Sequence, residues 1–350
     1  MKKYDYIIVG QGIVGSVMAL TLMRMGKSVL VIDKPALSSS SRIAAGVYNP
    51  FNFRQMMNNW RAVEMIDAAK SIYKYAEDFS GQKIFTERKI LKIFTSEDER
   101  KLWERACIEK TGLLANENIL ENPFGDAIIA PYGIGIVNNG GSIDTGMLIY
   151  VVSEKLKTEN GFCEEEFFSE LLQVNENEIC YDERFSAKHL FFSEGHLNTK
   201  NPWFKFLPIK PAKGQLLHVY IPGLQLTEVI NRGCYLLPLG NERFVLGSTF
   251  DNDVVDEIPT KNAEEDLLNR LQKFLTLPIR IESRFAGIRP AVQDRRPIIG
   301  THPQHKNISI INGMGSKAVL LSPWLAEKLV GNIERGEEIV EEVNVVRFSN

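Results

Sequence analysis

The sequence predicts an α/β protein in which a β-rich region is set into a nucleotide-binding framework. Three observations carry this reading. The chain opens with a strand, a glycine-rich turn, an apolar helix and a second strand. It closes with another strand, glycine turn and helix, and a β-rich stretch begins at Lys213 between the two.

Tyr4 to Val9 is a short β-branched run that reads as a buried strand. Gly10-Gln11-Gly12-Ile13-Val14-Gly15 follows, a G-x-G-x-x-G. Gly10 permits the tight turn, Gly12 lets backbone approach a diphosphate, and Gly15 lets helix and strand pack closely. Ile13 and Val14 open an apolar helix that runs to Met25 and stops at Gly26. Its free N–H groups and positive dipole end suit phosphate. Ser28 to Ile32 is the second strand, and Asp33 ends it before Lys34. A carboxylate about twenty residues past the turn accepts both hydroxyls of an adenosine ribose, and its charge repels a 2′-phosphate. A glycine turn before an ordinary surface helix would need none of this register. The unit is Rossmann-like, but by itself it does not choose between FAD and NAD.

At 350 residues two domains are expected, and 44% hydrophobic with 24% charged residues is a globular composition. A formal charge of −3 gives no general affinity for nucleic acid. No apolar run reaches the ~18 residues of a membrane helix. A first strand at Tyr4 leaves no room for a signal peptide, so a cytoplasmic protein is expected. Cys107, Cys163, Cys180 and Cys234 are scattered, without C-x-x-C or histidine at ligand spacing. Reduced thiols and no metal site are expected.

After Lys34 a serine run, Ser38 to Ser41, leads into Arg42-Ile43-Ala44-Ala45-Gly46. Composition alone allows a flexible linker. Position favours a ligand contact, because a segment leaving the second strand crosses the crevice at the strands' carboxyl ends. Arg54 to Phe79 has helical periodicity, and a charged helix is expected at Glu97 to Glu109. Strands are expected near 84–94 and 128–138, and a helix at Asp144 to Leu156. The run His189 to Gly195 reads as a buried parallel strand returning to the first sheet. Cys234 to Thr249 reads as a hairpin turning at Gly240-Asn241. Asn262 with Glu265 is expected to cap a helix stopped by Pro278. Phe285 to Gly300 contains two prolines and reads as irregular. Strand Ile308 to Asn312 then enters Gly313-Met314-Gly315-Ser316 and the last helix.

Together these segments resemble the FAD-dependent D-amino-acid oxidase (DAO) superfamily, nearest its glycine-oxidase and MnmC-like amine-oxidising branches. The resemblance spans most of the chain. It rests on Gly10 to Gly15 with Asp33, Ser41 to Gly46, Lys213-Gly214-Gln215 and Cys234 to Pro238. It continues through Gly247-Ser248-Thr249, Gly287-Ile288-Arg289-Pro290 with Asp294 to Gly300, and Gly313 to Lys317. It implies a discontinuous FAD domain at 1–80, 139–207 and 286–350, with a β-rich α+β substrate domain at 81–138 and 208–285.

The resemblance further implies that Gly10, Gly12 and Gly15 contact the diphosphate, with Ile13 and Val14 beside them. Asp33 and Lys34 would meet the ribose end. Ser41, Arg42, Ala45 and Gly46 would lie along the flavin, with Gly195 at the third strand's end. Gly313, Gly315, Ser316 and Lys317 would approach the flavin's pyrimidine edge. Arg289 matches the residue that clamps a substrate carboxylate, and a planar fork of donors suits that task. A structural ion pair is the other reading of Arg289. Tyr235 would cover the substrate, or else be a core aromatic. Two departures stand out: Lys317-Ala318 where relatives often have Arg-Gly, and Glu194 where they more often have Thr or Ala. With no cysteine in the closing turn, FAD would be held non-covalently.

The implied activity is oxidation of the C–N bond of an amino acid or secondary amine by hydride transfer to flavin. Either O2 or another acceptor would reoxidise it. Two rivals remain open at this point: a FAD-dependent 2-hydroxy-acid dehydrogenase and a redox-inert flavin-binding protein. His196, His218, His302 and His305 fall in contexts that single out no catalytic base.

Overall fold

A computed structural model describes residues 1–34, 39–109, 115–116 and 118–348. Ser38, the head of the serine run, lies outside them. Strand β1 (Lys2–Val9), helix α1 (Ile13–Arg24) and β2 (Val29–Asp33) form the opening unit as expected. A short helix α2 (Ser40–Ile43) follows, then β3 (Val47–Tyr48) and the small hairpin of β4 (Phe51–Asn52) and β5 (Met57–Asn58). Helix α3 (Ala62–Ser80) therefore starts later than its periodicity suggests. Arg61, left-handed at φ +48°, breaks the chain just before it.

The middle of the chain alternates strands and helices. Strand β6 (Phe85–Ile93), helix α4 (Glu97–Glu109), β7 (Ile134–Ile143) and α5 (Thr145–Thr158) come first. The Asp144 carboxylate caps α5 by accepting the Met147 N–H at 2.8 Å, satisfying a donor left open by helix geometry. Strands β8 (Phe162–Glu164), β9 (Leu172–Val174), β10 (Ile179–Tyr181) and β11 (Phe185–Phe192) follow and join the first sheet. Next come β12 (Ile209–Tyr220), β13 (Val229–Asn231), β14 (Tyr235–Gly240) and β15 (Arg243–Gly247). Helix α6 (Lys261–Leu271) is capped by Thr260, not Asn262. The chain ends with β16 (Arg280–Val292), β17 (Ile298–His302), β18 (His305–Asn312) and α7 (Ala318–Arg335).

These strands assemble into two eight-stranded sheets. The first runs β17-β18-β11-β1-β2-β8, with β9 and β10 extending it through β11. Strands β18, β11, β1, β2 and β8 are mutually parallel, and their near-continuous apolar runs are what burial on both faces requires. Alternation divides β1 between two cores. Tyr6 and Ile8 pack with α1, α3, α5 and α7, while Ile7 and Val9 face Leu172, Tyr181 and Phe204.

The second sheet runs β16-β12-β15-β14-β13-β6-β7-β3. It is antiparallel except where β13 lies parallel to β6. One of its cores gathers Ile230, Leu236, Phe244 and Leu246 with Leu267 and Leu271 of α6. Strand β16 corrects the irregular reading of Phe285 to Gly300. Pro290 pairs in register with Pro211 of β12, and β16 is the sheet's edge. Neither proline has an N–H to contribute, and the outer side of an edge strand needs none.

Candidate functional site

The carboxyl ends of β1, β2 and β11 open on a cleft of about 1140 Å³, walled on its far side by the second sheet. That is at or above the roughly 300–1,000 Å³ common for small-molecule pockets.

Gly10, Gly12, Ile13 and Val14 line the cleft, and Gly15 supports them from below. A Cβ at Gly15 would lie 1.9 Å from the Gly10 carbonyl oxygen, so only glycine lets α1 close onto β1. The Gln11 N–H donates to Asp33 Oδ1 at 2.9 Å, which fixes the carboxylate at the turn. Burial raises the Asp33 pKa, against the opposing pull of the Gln11 N–H and of Arg42. No donor from the described residues reaches its second oxygen. Lys34 also lines the cleft but is exposed and paired with Glu166 at 2.9 Å.

Ser41, Arg42, Ala45 and Gly46 form the next stretch of wall. Ser41 Oγ accepts the Ile13 N–H at 3.1 Å, so it tethers α2 to the start of α1. The Gly46 carbonyl accepts from Ile143 N–H at 3.0 Å, which anchors this stretch to β7. Gly195 stands opposite, its carbonyl accepting from Asn312 Nδ2 at 2.9 Å. Gly315, Ser316 and Lys317 line the cleft ahead of α7. Gly313 does not; it packs on Val292. Lys317 Nζ donates to Asn59 Oδ1 at 3.3 Å. Burial, together with the nearby Arg296 and Arg295, lowers its pKa.

Arg289 reaches the cleft from β16. Its guanidinium donates to the Thr249 carbonyl at 3.1 Å and to Ser248 Oγ at 3.0 Å. It lies on the bare backbone of Gly214, where a Cβ would fall 2.0 Å from Nη2. No described carboxylate forms an ion pair with it, so its partners are neutral oxygens. The Phe250 ring lies 5.8 Å from its carbon centre. Tyr235 stands beside it on β14, its ring over Gly247 and its hydroxyl bonded to Ser248. Burial pushes this phenol up to about 12, with Arg289 and Ser248 pulling the other way. It is a neutral hydrogen-bonding group across the physiological range. The Gly315 N–H donates to the Pro290 carbonyl at 3.0 Å, joining the closing turn to the strand that carries Arg289.

Every expected site residue except Gly15 and Gly313 thus lines one cleft. Three groups in its wall escaped the sequence reading. Phe51 to Arg54 line it from the β4–β5 hairpin, a stretch that helical periodicity partly masked. Asn231 comes from β13, a three-residue strand too short to leave a pattern. Glu194, visible only as a departure from relatives, lines it beside Gly195. Of the histidines weighed, His196 lines the cleft; His218 packs on Phe285 at a tilt, ring centres 4.8 Å apart, and His302 and His305 pack with Trp203. Among the described residues no cluster of acidic, histidine and cysteine side chains is placed to hold a metal. No described helix is long and apolar enough to cross a membrane.

The profile of the family described as DAO, FAD dependent oxidoreductase, matches residues 5–331. A glycine oxidase of Bacillus licheniformis is 24% identical, over 97% of this chain and 96% of its own length. Among solved structures, glycine oxidase from Geobacillus kaustophilus aligns with a TM-score of 0.80 at 19% identity, covering 97% of this chain and 96% of that one. An iminodiacetate oxidase from Chelativorans sp. BNC1 gives 0.78 at 19% identity and 98% of both chains.

Proposed function

The chain belongs to the DAO family of FAD-dependent oxidoreductases, and from that premise we propose that it oxidises the C–N bond of an amino acid or a secondary amine bearing a carboxylate. The named activities of its relatives, glycine oxidase and iminodiacetate oxidase, share an amine beside a carboxylate and support this class.

The residues present fit FAD. The G-x-G-x-x-G backbone leaves no room for side chains, since a Cβ at Gly12 would meet Ser41 Oγ at 2.7 Å. Asp33 keeps one oxygen unengaged for ribose hydroxyls, and the cleft volume exceeds what a small substrate alone needs. In this reading Gly10, Gly12, Ile13 and Val14 hold the diphosphate and Asp33 with Lys34 the ribose end. Ser41 to Gly46, Gly195 and the closing turn at Gly315, Ser316 and Lys317 hold the flavin. When bound, FAD supplies the two-electron acceptor for the substrate C–H bond.

One observation carries the substrate side: Arg289 is a guanidinium in the cleft wall with no carboxylate partner among the described residues. Its hydrogen bonds to Ser248 and Thr249 fix the plane of the fork, and Gly214 backs it. A substrate carboxylate completes the pairing, and the two-pronged geometry fixes how the amine-bearing carbon is presented. Tyr235, held by Ser248, bounds the same subsite and offers a neutral donor. Lys317 and the first turn of α7 add positive potential to the cleft wall.

The test is an anaerobic screen of amino acids, N-methyl amino acids and hydroxy acids for bleaching of the protein's yellow absorbance. Bleaching by amines with a carboxylate is expected. Bleaching by hydroxy acids alone would reassign the chain as a hydroxy-acid dehydrogenase, and none by any class would remove the enzyme reading.

A further inference from the structure

Strand β11 ends in Ser193-Glu194-Gly195, beside the first glycine turn. Ser193 Oγ donates to the carbonyls of Val9 and Gly10, at 3.0 and 2.8 Å, and so fastens this end to β1. A Cβ on Gly10 would lie 3.3 Å from Glu194 Cα. Glu194 therefore stands against the turn that this fold offers to a diphosphate. Glu194 is among the residues that line the cleft.

The Glu194 carboxyl has a single partner among the described residues: Asn201 Nδ2 donates to Oε2 at 2.5 Å. Asn201 is itself fixed, its Oδ1 accepting the N–H groups of Trp203 and Phe204. Oε2 is thereby held as an acceptor, which leaves Oε1 as the place for a proton. Ionised, this carboxylate would face the negative charges of a diphosphate from a poorly solvated wall, which opposes binding. Protonated, it is a donor where the cofactor has acceptors.

We propose that Glu194 is a cofactor-binding residue that acts as a neutral carboxylic acid, donating its proton from Oε1 to an oxygen of the FAD diphosphate arm. The inference rests on FAD occupancy alone. A chain that held FAD but oxidised no amine would leave it standing.

Burial pushes the Glu194 carboxyl up to about 7, with the Asn201 amide opposing. Among the described residues, the other charged groups that line the cleft are His196, Lys200 and Glu257, Asp33, Lys34 with its partner Glu166, and Arg42, with Arg54, Arg289, Arg295 and Lys317 also in the lining. Burial lowers His196, which Glu257 and Lys200 pull in opposite directions, and Arg42 acts on Asp33. FAD binding favours protonated Glu194, so affinity is full below about pH 7 and falls as pH rises. Above that point Kd grows tenfold per pH unit, until the bound acid itself ionises.

The experiment dilutes holoprotein between pH 6 and 9 and reads released FAD by flavin fluorescence. Between pH 7 and 9 Kd should rise about 50-fold in the unaltered chain. Glu194→Gln keeps a donor towards the cleft and should bind FAD with no slope. Asp33→Asn should bind more weakly yet keep the slope. A flat profile in the unaltered chain overturns the proposal, as does the same slope in Glu194→Gln. Should that variant fail to fold, infrared spectra of the unaltered holoprotein decide. A carboxylic-acid C=O band that persists at pH 8 with FAD bound and vanishes when FAD is released is expected, and its absence overturns the assignment.

Discussion

Arg289 was legible in the sequence as a guanidinium in a G-I-R-P segment, but its setting was not. Gly214, Ser248 and Thr249 come from other parts of the second sheet, and only the folded register of β12, β15 and β16 brings them under it. Arg289→Lys keeps the charge and loses the fork. With FAD saturating, kcat/KM should fall by roughly 2–5 kcal/mol of transition-state binding, further in Arg289→Ala, while the melting temperature moves little. Unchanged kinetics at full FAD loading would sink the clamp. His189 makes a second prediction at this scale. It is buried, its Nε2 lies 2.8 Å from Ser309 Oγ, and burial pushes its imidazole down to about 4. The folded state rejects a proton that the unfolded chain takes up near pH 6.5. Stability is full above about pH 6.5 and lost as pH falls towards 4, by roughly 3 kcal/mol. Urea titrations at stepped pH should trace that limb, and His189→Gln should flatten it.

At the scale of elements, the opening strand–turn–helix was readable because each residue's task is local. The test is Gly15→Ala. Its methyl must displace the Gly10 carbonyl or Ser193 Oγ, at 1.9 and 2.8 Å, and so pushes α1 away from β1. A loss of roughly 1–3 kcal/mol with reduced FAD retention is expected, read as melting temperature and flavin content together. A variant that melts and retains FAD like the parent would show that the contact can relax freely. Helix α4 was legible for the same local reason. Strand β16 and the β4–β5 hairpin were not. Pro290 in β16 argues against a strand unless one knows that it faces Pro211 at a sheet edge. The hairpin carries too few residues to override the apolar period running through it.

The whole molecule places one cleft between two sheets, with Gly10 and Asp33 contributed by the first and Tyr235 and Arg289 by the second. The order of motifs along the chain was readable. The pairing of β13 with β6, segments far apart in sequence, leaves no local mark. A ligand that spans such a cleft binds only the folded state and stabilises it by mass action. Added FAD should stabilise flavin-depleted protein by about 2.7 kcal/mol at a hundredfold excess over Kd, and so raise its melting temperature. Thermal scans across FAD concentrations test this, and a melting temperature indifferent to FAD would mean that the folded chain does not bind it in preference to the unfolded one.

The bare backbone beneath Arg289 bears on how this chain can drift. Gly214 carries no side chain, yet a single methyl there would meet the guanidinium 2.0 Å from Nη2 and displace it. Selection for catalysis should hold position 214 as tightly as position 289, though only one of them carries a functional group. In a saturation library sorted for flavin bleaching, every replacement at 214 should disappear with the replacements of Arg289. Sorted for flavin retention alone, many of them should survive.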